Sequence, residues 1–157
     1  MKTLPTAVLC VSVTLYSLCS FAQNKPVIVN EPDSNKPKLF QNLPDNISIS
    51  VDKINSLLDN QVGRGISMNL SDRSQFQFEG QIVSVASKYE NSIQSVVIRS
   101  TNYNGATLTV SRITNADGTI RYTGRLMSFK HGDLYELQTK DGNLVLVKKN
   151  FYDLVNE

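Results

Sequence analysis

Apolar and polar positions alternate with period two through most of the second half of the chain. Ile66, Met68 and Leu70 alternate with polar neighbours. Phe76, Phe78 and Ile82 share one parity, whereas Val83 and Val85 take the other. Period two sends successive side chains to opposite faces of a strand, so these runs predict strands. The change of phase between Gly80 and Val83 predicts a bulge. Further strand-like runs follow at residues 95–98, 108–110, 120–126, 134–137 and 144–147. Asn104-Gly105, Asp117-Gly118 and Asp141-Gly142 lie between them, and His131-Gly132 holds a similar place. Such dipeptides tolerate positive φ and favour tight hairpins. Residues 88–92 read as a polar turn. Turns spaced by roughly 10–14 residues fit an antiparallel meander. The fold class is therefore mainly β: an antiparallel meander of six or seven strands, as a curved sheet or a partly open barrel. A parallel sheet would need helical crossovers, for which the connections are too short.

A helical period precedes the strands. Val51, Ile54, Leu57 and Leu58 make one apolar stripe, Ser50 stands at an N-cap position and Asp52 lies in the first turn. Gly63 is placed to end the segment. One short amphipathic helix is expected at the N-terminal side of the domain, laid against the sheet. At the far end Phe151, Leu154 and Val155 predict a closing helical turn.

The first residues read as a cleavable export signal. Lys2 is a basic start, residues 7–18 are apolar, and Ser20-Phe21-Ala22 meets the small-x-small rule, which puts cleavage between Ala22 and Gln23. The run is too short to span a bilayer. An acylated Cys19 would want small and aliphatic residues where Leu18 and Tyr16 stand, so no stable membrane anchor is expected after cleavage. Residues 23–46 hold Pro26, Pro32, Pro37 and Pro44 among polar residues and read as a flexible tether. Val27-Ile28-Val29 is its one β-prone run. Residues 47–157 then form a single domain, and the product is expected to be secreted or periplasmic.

Composition narrows the chemistry. Both cysteines, Cys10 and Cys19, fall in the signal. The remainder has no disulfide, no thiol nucleophile and no thiolate for zinc, so its core of ~110 residues must be held by packing alone. The net charge is +2 with the signal and near +1 without it, which gives no footing for nucleic acid. No phosphate-binding glycine loop and no metal-ligand spacing occurs, so no cofactor and no metal is expected.

The one histidine, His131, lies two residues from Asp133 and three from Ser128. A base oriented by Asp133, with Ser128 as nucleophile, would make a hydrolase. An exposed turn residue is the simpler reading, because a base needs a sheltered cleft. Asp117, Asp133 and Asp141 sit at turns for backbone reasons rather than for calcium. Arg99, Arg112, Arg121 and Arg125 fall on three successive strands, and Arg121 and Arg125 share a face. They form a candidate anion or partner patch, with Tyr122 and Tyr135 as aromatic anchors. A solvated sheet face is the alternative.

Several segments carry a resemblance. They are Phe76-x-Phe78-x-Gly80-x-Ile82, Ser95-Val96-Val97-Ile98, Asn104-Gly105-Ala106-x-Leu108, Tyr122-x-Gly124-Arg125 and residues 132–137. This region resembles the prodomain region of secreted bacterial metalloproteases of the reprolysin or fungalysin-like kind. It departs from that family in having no zinc-binding helix motif and no cysteine able to switch a metal site off. The resemblance implies a free-standing prodomain-like module that contacts a protein partner rather than an enzyme. The leading expectation is thus a non-catalytic exported binding module. A small-ligand carrier with Tyr122, Gly124 and Leu126 on its lining is the second reading, and a hydrolase using His131 the third.

Overall fold

A computed structural model describes residues 35–71 and 76–154. The expected signal over 1–22, its Ala22/Gln23 cleavage point, residues 23–34 of the tether with Val27-Ile28-Val29, and Val155 lie outside the described residues.

Eight antiparallel strands form one sheet: β1 (Asn46–Ile49), β2 (Gly65–Asn69), β3 (Gln77–Lys88), β4 (Ile93–Ser100), β5 (Thr107–Thr114), β6 (Ile120–Met127), β7 (Asp133–Lys140) and β8 (Asn143–Asn150). Their order across the sheet is β1-β8-β7-β6-β5-β4-β3-β2, a meander with β1 returned to the edge beside β8. The sequence reading of six or seven strands falls short by β1. At four residues between Pro44 and the helix, β1 is too short to show a period of its own. Its partner β8 lies about a hundred residues on, with Ile47 opposite Leu146 and Ile49 opposite Leu144. The sheet curls into a half-barrel. The residue after β1 donates its backbone N–H to the residue after β2, Ser50 to Leu70, at 3.1 Å.

The bulge falls where the phase change places it. Register is lost between Ile82 and Ser84, leaving Val83 as the extra residue. Ile82 is buried, whereas Val83 and Val85 are both 37% exposed. Gly105, Gly118, Asp141 and Gly142 have positive φ, as the hairpin dipeptides require. The 88–92 turn is tighter than its polar composition suggests: Tyr89, Glu90 and Asn91 are all left-handed, with φ of 50°, 54° and 70°. His131-Gly132 is not a positive-φ hairpin. Gly132 instead lies against the backbone of Lys36 and donates its N–H to Pro37 at 3.0 Å.

Between β1 and β2, helix α1 covers Val51–Leu58. Ile54, Leu57 and Leu58 face the core and α1 packs on β4 and β5. Ser50 occupies the N-cap position in extended conformation, but its side chain makes no capping bond. The helix ends at Asp59, before Gly63. Gly63, at φ 89°, instead turns the chain into β2. A 3-10 turn, Phe151–Leu154, closes the domain as expected.

The two ends of the half-barrel differ. At the end where β3 begins and β4 finishes, Phe40, Phe76, Phe78, Tyr103 and Tyr135 pack together with ring centroids 5.3–6.4 Å apart, Phe76 and Phe78 stacked on Tyr103 and the other pairs tilted or edge-on. Phe40 is fully buried, so residues 35–45 pack on the domain, although their prolines read as tether. A low apolar count does not prevent ordering when one aromatic ring fills the end of a core. The opposite end, beside α1, is polar.

Candidate functional site

The strands divide the nominated arginines between two faces. Arg99, Arg121 and Arg125 stand exposed on the outer face. Arg125 Nη2 meets Glu136 Oε1 at 3.2 Å, and Lys149 Nζ meets Glu136 Oε2 at 2.7 Å. The Lys149 hydrogen bond above all holds the Glu136 carboxyl down to about 2, with help from Gln138 and Arg125 and against the opposing effect of burial. Arg125 is therefore already matched by an acid. A shallow groove of about 520 Å³ runs over this face, lined mainly by Thr107, Thr109, Ser111, Thr123 and Met127, with Phe129 75% exposed at its rim. Tyr135 is no surface anchor. It is fully buried, burial pushes its phenol well up, and its hydroxyl donates to the Pro44 carbonyl at 2.5 Å.

Arg112 and Tyr122 come together on the inner face. Register pairing places Ser87, Gln94, Arg112 and Tyr122 in one row across β3, β4, β5 and β6 at the α1 end. Asn55 reaches down from α1 to this row. Its Oδ1 accepts the Tyr122 hydroxyl at 2.9 Å and Arg112 Nη1 at 3.3 Å. Arg112 Nε and Gln94 Oε1 are buried atoms that have no hydrogen-bond partner among the described residues. A buried N–H or carbonyl left without a partner calls for an explanation. Asn55 and Gln94 escape sequence reasoning. Gln94 becomes significant only once Arg112 is known to lie opposite it, and Asn55 only once α1 is laid over β4 and β5.

A second feature adjoins this cluster. β2 pairs with β3 only over Gln77 to Gln81. Ile82 still exchanges bonds with Gly63 and Arg64, at 2.8 and 3.0 Å. Among the described residues, 84–88 pair with β4 on one side alone, and all five are exposed, as is the bulged Val83 that precedes them. Alternate residues of a strand point their N–H and C=O to the same side, so this edge offers main-chain groups that nothing among the described residues takes up. Its sequence, Val-Ser-Val-Ala-Ser-Lys, carries its single charge at the last position.

The third nominated group assembles in part. His131 Nδ1 lies 2.9 Å from Ser128 Oγ. Asp133 does not orient His131. Its two carboxylate oxygens accept the backbone N–H groups of Leu39 and Phe40 at 2.7 and 2.8 Å. Ser128 is buried, out of reach of a substrate. The interior is filled as well: the void enclosed by Ile49, Ile54, Leu70, Leu108, Val110, Leu137 and Leu146 is about 10 Å³, scarcely enough for one water. No helix among the described residues is long and apolar enough to cross a membrane. Comparison with protein-family models, with curated proteins and with solved structures finds no match for this chain.

Proposed function

We propose that this chain is a non-catalytic exported binding module that takes up an extended segment of a partner protein along the free edge of β3. The observation that carries the reading is the run of exposed residues 83–88, of which 84–88 are paired on one side only among the described residues. Globular proteins usually shorten, charge or cover such edges, because an open edge is a template for another chain. Here the edge is long and uncharged over five residues, and the Val83 bulge leaves two valines half-exposed beside it. Strand addition draws affinity from main-chain hydrogen bonds and selectivity from the alternate side chains. The partner class named by the prodomain resemblance is a secreted metalloprotease. The carrier reading draws no support from the void of about 10 Å³ between the sheet and α1, and among the described residues Asp133, the acid nominated for His131, is bonded to Leu39 and Phe40 instead.

The test is capture followed by localisation. The immobilised chain is exposed to the exported proteins of its own organism, and the retained protein is identified by mass spectrometry and added back in solution. Amide hydrogen exchange at residues 83–88 is then expected to slow, and Val85→Lys to abolish capture. Slowed exchange elsewhere with residues 83–88 unaffected would overturn the edge reading.

A further inference from the structure

We infer that Arg112 is the receptor for a carboxylate group entering at the α1 end of the half-barrel. A guanidinium presents two forked edges, each matching the two oxygens of a carboxylate. At Arg112, Nη1 is engaged by Asn55, and Nε, on the other forked edge, is buried with no hydrogen-bond partner among the described residues. The group is held in place beforehand. Asn55 Oδ1 accepts from Arg112 and from Tyr122 at once, so α1 and β6 both fix the orientation of the guanidinium on β5. No acid forms an ion pair with Arg112 among the described residues, in contrast to Arg125, which meets Glu136 at 3.2 Å. A half-buried cation with one buried N–H unmet gains both charge compensation and two hydrogen bonds from a carboxylate, whereas a water supplies only the bond. Gln94 stands opposite Arg112 in register, with its buried Oε1 unmet.

This inference is independent of the strand-edge reading, because the guanidinium lies two strands in from the edge of β3. Sodium acetate is the probe, titrated into the full chain at constant ionic strength, with the side-chain Nε–H resonances of the arginines followed by proton–nitrogen NMR. The Arg112 resonance is expected to move and saturate, while that of Arg125 follows only the bulk change. Acetate should also raise the melting temperature, and Arg112→Lys, which keeps the charge and loses the fork, should weaken that response at least about tenfold in acetate concentration. Tyr122→Phe, which leaves Asn55 with one donor fewer, should weaken it by a smaller factor. A peptide with one glutamate is compared with its glutamine counterpart. Tighter saturation by the glutamate peptide than by acetate assigns the carboxylate to a polypeptide, and equal saturation assigns it to a small acid. Val85→Lys is expected to leave the acetate response intact, which separates failure of this site from failure of the edge. An Arg112 resonance that never saturates, or an unchanged acetate response in Arg112→Lys, would overturn the inference.

Discussion

Glu136 has a cation on each side in the sheet, Arg125 from β6 and Lys149 from β8, at 3.2 and 2.7 Å. Its carboxyl is drawn from the ordinary 4.5 to about 2, first by the Lys149 hydrogen bond. The sign of the stability effect follows from that depression. In the unfolded chain the group takes up its proton near its ordinary value, while in the fold it resists until about 2. The stabilisation is whole above the unfolded value and disappears as pH falls through the folded one. Melting temperature should therefore drop between pH 4.5 and 2. Glu136→Gln should flatten that part of the curve and cost about 1 kcal/mol at neutral pH, the scale of a solvent-screened charge network. An identical acid limb in the variant would show that the network contributes nothing. The ion pair was not legible in the sequence. Arg125 and Glu136 are eleven positions apart, and only the β6–β7 register makes them neighbours.

The strands themselves were legible, because a period of two is a local property. The bulge at Val83 was legible for the same reason, since a one-residue slip reverses which valines face the core. What a local pattern cannot carry is the closeness of one strand to the next. Gly124 is an example. In the alternation it is a weak inner-face position between Tyr122 and Leu126. In the fold, a Cβ placed on it would stand 2.5 Å from the Thr109 carbonyl oxygen and 3.3 Å from the Val110 Cα. Gly80 meets the same limit against β4, with the Arg99 carbonyl oxygen at 2.5 Å. Glycines inside strands often mark close backbone approach, and both are of that kind. Gly124→Ala should thus cost about 1–3 kcal/mol by pushing β5 and β6 apart. The urea midpoint should fall, and an unchanged midpoint would mean that the strands separate at no cost. The polar cluster of Asn55, Gln94, Arg112 and Tyr122 was half legible on the same grounds. Arg112 and Tyr122 are individually conspicuous, but the partners that fix one and leave the other's Nε unmet come from other elements.

At the scale of the molecule, the half-barrel is closed at one end by a strap that precedes the sheet. Leu39 and Phe40 hang from the Asp133 carboxylate, Pro44 accepts the Tyr135 hydroxyl, and Leu43 accepts Lys148 Nζ. The ring of Phe40 stands 5.3 Å from that of Tyr135 and 5.6 Å from that of Tyr103, completing the aromatic layer. Asp133 is thus a structural residue at the place where the sequence offered an aid to catalysis. Its two bonds are charge-assisted and reach about ninety residues back along the chain. Asp133→Asn keeps one acceptor and turns the other into a donor facing a backbone N–H. The variant should lose about 1–3 kcal/mol, the cost of leaving a buried donor unmet. The loss should be located as well as measured. Limited proteolysis is expected to cut residues 36–45 first, because the strap holds on through that carboxylate while the sheet keeps its own ladder of bonds. Cleavage distributed evenly over the sheet hairpins would mean that strap and sheet unfold as one unit, and that the carboxylate is only one contact among many.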